Sequence, residues 1–248
     1  MMRRRQFLKA GSMCAAVLAC PKIVQAGVGS RSIPVGIQLY SFREKAKIDF
    51  TAMLQKAAEI GFPGVEFAGY GPFGEKPAEL RKILDGCGLK VFGTHTGFNL
   101  VQPDTLKKTM DFHATIGCKY IIIPWIDPKV LATKEACLKT AEQLSTISET
   151  VQKEGFYIGY HAHGGDFRKV DGALTAWELL FDNTPKSFIH QIDLGNCLGG
   201  GGDPFKMIER YPGRSLTVHL KEYGGADGAV FGQRSEERRV GKECRSRW

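Results

Sequence analysis

Five of the six histidines in this chain, His95, His161, His163, His190 and His219, stand in or just after short β-rich runs. Other polar groups collect at the same places. Gln38 lies in the first run, Glu66 in the second and Asp166 after the fifth; Asp193 and Asn196 stand at the end of the sixth, Lys221 and Glu222 at the end of the seventh. Imidazole and carboxylate converging on one face make an N/O donor set that suits a divalent transition metal. Asp193 and His219 carry most of that reading. Both end strongly apolar runs, where an unpartnered carboxylate is costly. His190 stands three residues before Asp193, deeper in its run, and is expected to pack in the core. His113 falls in a helical stretch and is expected to be structural.

These residues need elements that bring them together. The β-rich runs cover 35–39, 64–67, 90–93, 120–124, 156–160, 188–193 and 216–220. Between them, 50–60, 78–84, 105–116, 134–153, 173–181 and 204–211 place apolar residues at helical spacing, with glycines such as Gly61, Gly117, Gly155 and Gly213 at or just beyond their ends. The helix, glycine, β-run unit recurs about every 25–35 residues, which is βα periodicity. A doubly wound dinucleotide-binding sheet would carry Gly-x-Gly-x-x-Gly after its first strand. Here Tyr40-Ser41-Phe42-Arg43-Glu44 follows instead, and the 199–202 glycine run lacks the Lys-Ser/Thr of a phosphate loop. The expected fold is therefore α/β, a (βα)8 TIM barrel missing about its last βα unit. In such barrels chemistry sits at the C-terminal strand ends. Pro124 and Trp125 would form an apolar wall there.

The chain carries 34 Lys+Arg and 26 Asp+Glu, a net charge of +8. That excess lies at its two ends. Residues 1–26 hold five basic residues and no acid, residues 234–248 hold six basic and three acidic, and 27–233 balance at 23 of each. A neutral body argues against a phosphate-tracking nucleic-acid groove. With 43% hydrophobic and 24% charged residues, it is globular, and disorder, collagen and coiled coil are excluded. No apolar run reaches the roughly 20 residues of a membrane span. The four cysteines of the body form no Cys-x-x-Cys pair and are expected to be buried thiols. Residues 1–26 read as a twin-arginine-type signal, Arg3-Arg4-Arg5-Gln6-Phe7-Leu8-Lys9 before an apolar stretch, which predicts export to the periplasm or beyond. Cys20 offers a possible lipid-anchor position. Residues 234–248 resemble a translated sequencing adapter, leaving 27–233 as an incomplete barrel.

Several segments carry a family resemblance. Gly36-Ile37-Gln38-Leu39-Tyr40-Ser41, Gly64-Val65-Glu66, Gly159-Tyr160-His161-Ala162-His163 with Asp166-Phe167, Gln191-Ile192-Asp193-Leu194-Gly195-Asn196 and Val218-His219-Leu220-Lys221-Glu222 together resemble the sugar phosphate isomerase/epimerase family of the xylose-isomerase-like barrels. The resemblance implies a divalent ion (Mn, Mg, Zn or Co) with ligands from strands 5 to 8. Carried over, these are His161, with His163 as its alternate, then Asp193 and His219; the usual strand 8 Glu has no counterpart in the chain. Two positions depart from the usual Tyr-His-Asn-His and Glu-Phe, having Ala162 and Asp166 instead. The implied activity is a metal-dependent sugar isomerase or epimerase working by proton transfer beside a carbonyl through a stabilised enediolate. His163 or Asp166 would move the proton and Lys221 would stabilise negative charge. Gln38, Glu66, His95 and Asn196 are the expected substrate contacts. The partner is a small sugar, with no nucleic acid, and the oligomeric state is not legible. Rival readings are a 3-keto-glycoside lyase or dehydratase on the same barrel, an endonuclease of the same superfamily, and a non-catalytic sugar-binding barrel.

Overall fold

Residues 33–170 and 172–224 are described by the structure, a computed structural model; the expected export signal, Cys20 and the adapter-like tail lie outside them. The compact unit that holds the sheet begins at Val35. Strands β1 (Ile37–Gln38), β2 (Gly64–Phe67), β3 (Lys90–His95), β4 (Tyr120–Ile123), β5 (Tyr157–His161) and β6 (Ile189–Gln191) form one parallel sheet in sequential order. Helices α1 (Arg43–Ile48), α2 (Phe50–Ile60), α3 (Pro77–Cys87), α4 (Leu106–Ile116), α5 (Lys134–Lys153), α6 (Ala176–Asp182), α7 (Leu194–Gly199) and α8 (Pro204–Arg210) alternate with them or follow them. This is the alternation expected of a TIM barrel.

Local signals set the boundaries. Asp49 accepts the Ala52 N–H at 2.9 Å to start α2, and Gly61, at φ 100°, ends it. Thr175 and Glu178 form a capping box at the start of α6. The expected 134–153 helix is α5 itself. Strand β1 is shorter than the expected 35–39 run. The Gln38 side chain accepts the Tyr40 backbone N–H and turns the chain into a 3₁₀ segment at Leu39–Phe42. The seventh run is also reduced: within 216–220, His219 makes a single parallel bridge to Asp193. Its intervening residues Leu216, Val218 and Leu220 are 50%, 37% and 57% exposed.

Strand alternation separates two environments. Val65 and Phe67, Ile121 and Ile123, Ile158 and Tyr160, and Ile192 join the buried clusters between sheet and helices. The residues between them, Glu66, Ile122, Gly159, His161, Gln191 and Asp193, take the opposite face. The pairing of β2 with β3 is irregular: Val65 pairs with Val91 but Glu66 with Gly93, which leaves Phe92 as an inserted residue. Phe92 and Gly93 therefore share the inner face. The Phe92 ring fills the space above Gly64, where a Cβ would stand 2.7 Å from it.

His190 and His113 belong to the outer layer, as expected. Trp177 Nε1 donates to His190 Nε2 at 2.9 Å, and His113 Nδ1 lies 2.6 Å from the Thr109 carbonyl. Among the described cysteines, Cys118, Cys137 and Cys197 are buried, Cys87 is half-buried, and none of the four is in a disulfide. Among the described residues, no helix is long and apolar enough to cross a membrane.

Candidate functional site

The inner face carries a polar cluster at the C-terminal strand ends. Glu66, from β2, is its anionic centre. Its Oε1 accepts from His95 Nε2 at 2.9 Å and from His219 Nε2 at 2.7 Å, and its Oε2 accepts from Gln191 Nε2 at 2.8 Å. Room for this carboxylate exists because residue 93 has no side chain: a Cβ there would stand 2.9 Å from Glu66 Oε2. Gly93→Ala is accordingly expected to displace the carboxylate and destabilise the protein by about 1–3 kcal/mol, read as a lowered chemical-denaturation midpoint. An unchanged midpoint would refute this packing account.

Gln191, from β6, joins the histidines. Its Oε1 lies 3.0 Å from His95 Nε2 and 3.0 Å from His161 Nδ1, and its amide also donates to Thr217 Oγ1 at 2.9 Å. Gln38 Nε2 stands 3.3 Å from His95 Nδ1. The rings of His95, His161 and His219 pack with centroids 4.6–5.4 Å apart. Asp193, at the end of β6, accepts the Asn196 N–H through Oδ1 at 2.7 Å and so caps α7. Its other oxygen, Oδ2, lies 4.0 Å from His161 Nε2 and 3.8 Å from His219 Nδ1.

Burial governs the charge states. It would raise the Glu66 pKa, but hydrogen bonds from His219 and His95 outweigh it and hold the carboxyl well below the usual range. His219 is driven the other way. Burial alone would lower its pKa, but the Asp193 and Glu66 carboxylates raise it to about 9. Burial, with three histidines around it, pushes His161 down to about 2, so it stays neutral. Burial also lowers the pKa of His163, whose Nδ1 is buried with no hydrogen-bond partner and whose ring meets that of His161 edge-on at 5.0 Å.

The donor set fits a divalent cation. His95, His161 and His219 each offer a ligand atom within 4.8 Å of the others. Asp193 Oδ2 is too far from His161 and His219 for hydrogen bonds. It is nevertheless within the span of two ligands bound at about 2.0–2.2 Å to one ion. His161, Asp193 and His219 thus come together, the three that the family resemblance implies, with the His95 ring packed against the two imidazoles.

Other expected site residues are placed differently. Glu66, His95 and Gln38 are not free to meet a substrate through the atoms that bind one another. Asp166 is tied to its own turn: its carboxylate accepts from Tyr160 Oη at 3.1 Å and from the His163 N–H at 2.7 Å. Tyr160 belongs to the outer core, so Asp166 holds the turn after β5, although burial raises its pKa to about 6. Asn196 donates to the Ala162 carbonyl at 2.8 Å and accepts from exposed Lys221 Nζ at 2.7 Å, tying α7 to the β5 end. Gln191 and Thr217 escaped the sequence reading. Each stands two residues before an expected ligand, Asp193 and His219, and therefore shares its face.

Comparison with known proteins identifies the family and the fold. The model of the family described as "Xylose isomerase-like TIM barrel" matches residues 54–242. The inosose dehydratase of Geobacillus kaustophilus is 25% identical over 195 residues, covering 68% of this chain and 61% of that protein. The chain therefore spans less than two thirds of that relative's length. Two solved structures share the fold. A sugar phosphate isomerase/epimerase from Parabacteroides distasonis superposes with a TM-score of 0.68 at 20% identity, over 90% of this chain and 87% of that one. The 3-keto-D-glucoside 4-epimerase of E. coli does so with a TM-score of 0.59 at 14% identity, over 86% and 88%. Matched over most of its length and folded as its strand ends require, the chain belongs to the xylose isomerase-like TIM barrel family.

Proposed function

We propose that this protein is a metal-dependent enzyme that moves a proton at the carbon beside a carbonyl of a keto- or aldo-sugar, as an isomerase or epimerase. The observation that carries this is Asp193 Oδ2 between His161 Nε2 and His219 Nδ1, at 4.0 and 3.8 Å, on the inner face of the barrel. His161, Asp193 and His219 would hold the ion. A divalent ion held there supplies Lewis-acid polarisation of the substrate carbonyl.

The chain's own residues supply the rest. His163 is kept neutral by burial, which suits its imidazole to accept and return the proton. Asn196 steadies Lys221, whose ammonium can face negative charge developing on substrate oxygens. Exposed Trp125, after β4, offers an aromatic surface for a sugar face.

A second reading is favoured by the relative named inosose dehydratase. In a dehydratase the same proton leaves first, and the hydroxyl on the next carbon then departs as water. One experiment separates the outcomes. Keto-sugars, keto-polyols and aldoses are incubated in D2O with the protein and Mn2+, with a chelated control. Isomerase or epimerase action gives deuterium at the carbon beside the carbonyl with the carbon skeleton and formula retained. Dehydration gives a product lighter by one water. Absence of both exchange and product on every such compound overturns the proposal.

The charge state of His219 adds a pH prediction. The proton on its Nδ1 competes with the cation, and its pKa stands near 9. Mn2+ affinity is therefore expected to rise about tenfold per pH unit from pH 7 toward 9 and then level off, with about one proton released on binding. Calorimetry in buffers of different ionisation enthalpy measures this, and a pH-independent affinity would contradict it.

A further inference from the structure

The hydrogen bonds around Gln191 have a fixed direction. They can be followed from two groups that have no choice. The Tyr40 backbone N–H can only donate, and it takes Gln38 Oε1. The Gln38 amide must then present its Nε2 to His95 Nδ1, which accepts. A neutral His95 therefore carries its proton on Nε2, where Glu66 Oε1 and Gln191 Oε1 share it at 2.9 and 3.0 Å. At the other end, the Glu66 carboxylate can only accept. Its Oε2 stands 2.8 Å from the Gln191 amide, so turning that amide over would set oxygen against oxygen. Gln191 Oε1 thus faces His161 Nδ1 at 3.0 Å and requires a hydrogen there.

We infer that Gln191 is the positioning residue that fixes the tautomer of His161, placing the proton on Nδ1 and leaving Nε2 bare toward Asp193. Both His95 nitrogens are meanwhile committed, one to Gln38 and one to Glu66 and Gln191. Of the three clustered imidazoles, only His161 Nε2 and His219 Nδ1 remain beside Asp193 Oδ2 to meet a cation. Hydrogen-bonded partners of this kind hold metal-binding imidazoles in one tautomer and orientation. The tautomer follows from hydrogen-bond direction alone; its consequence for the cation rests on the function proposed above.

The test uses the full chain, labelled with 15N-histidine and freed of metal, at neutral pH. Long-range proton–nitrogen correlation spectra read the protonated nitrogen of each ring. In the wild type, His161 is expected to be protonated on Nδ1 and His95 on Nε2. The His161 pattern depends on an acceptor at position 191. Gln191→Met offers none and is expected to release His161 to a mixture of both tautomers. His161 protonated on Nε2 in the wild type overturns the proposal, and this reading needs no variant to fold. So does an unaltered His161 pattern in a folded Gln191→Met variant. Titration with Mn2+ alone separates this proposal from the function it serves: Gln191→Met is expected to bind about 10–100-fold more weakly. A wild type with the expected tautomers but no Mn2+ binding would overturn the metal-enzyme reading and leave the tautomer assignment standing. Mn2+ binding with the opposite tautomer would do the reverse.

Discussion

Asp193→Asn is expected to reduce turnover about a thousandfold or more while costing less stability than Asp193→Ala. The side chain has two separable tasks. Oδ1 caps α7 through the Asn196 N–H at 2.7 Å, while Oδ2 faces the two histidine nitrogens. Asn is as good an N-cap as Asp, so the amide oxygen can keep the first task. It brings no negative charge to the second, and the lost Lewis-acid contribution amounts to several kcal/mol, tenfold in rate for each 1.36. Ala removes both, and the missing cap adds about 1 kcal/mol of destabilisation. Steady-state kinetics with saturating Mn2+ and thermal melts of the three metal-free proteins check the split. Equal stability losses in the two variants would show that the cap contributes nothing. Undiminished turnover in Asp193→Asn would remove Asp193 from the ion-binding set.

Glu66→Ala is expected to cost about 3–5 kcal/mol, because it leaves buried donors facing an empty space. His95 Nε2, His219 Nε2 and Gln191 Nε2 all point at this carboxylate. At about 2–4 °C per kcal/mol for a protein of this size, the melting temperature should fall by roughly 10 °C. The pH dependence has a definite sign. Glu66 has its pKa depressed on folding from its ordinary value of 4.5, so its contribution is present above that value and is lost as the pH falls through the folded pKa. His219 has its pKa raised on folding from 6.5 to about 9, so its contribution is present below pH 6.5 and is lost as the pH rises through 9. The gap between wild type and Glu66→Ala should therefore be widest between about pH 4.5 and 6.5 and narrow toward pH 9. Denaturant melts across that range provide the measurement, and a gap that widens above pH 7 would refute the Glu66–His219 coupling.

Much of this arrangement is legible in the residues before any coordinates. Glycine stops and cap residues fix α2 and α5, and the strand ends at Asp193 and His219 are marked by polar groups closing apolar runs. The remainder depends on long-range geometry. Gln191 looks like any polar residue inside a strand until alternation puts it beside Glu66, and no local pattern marks it as the hub. The insertion at Phe92 is equally silent, because only the partner strand shows that 92 and 93 share a face. Asp166 stands where the resembling family has Glu, and only the folded turn shows that Tyr160 and a backbone N–H donate to its carboxylate. Strand β1 read as five residues because its apolar pattern continues past Gln38, whereas the side-chain cap on Tyr40 stops it.

The sequential strand order has a kinetic consequence. Each neighbouring pair in the sheet is joined across one βα unit, so most of the scaffold can grow by adding nearby pieces. The polar centre cannot form that way. Glu66 meets Gln191 across 125 residues and His219 across 153. Contacts that close such long loops carry the largest ordering entropy and form late. In refolding, backbone and aromatic signals should recover before the histidine cluster can take up a cation. During synthesis, the nitrogens of His95 and His161 wait for Gln191 and His219, among the last of the described strands to emerge.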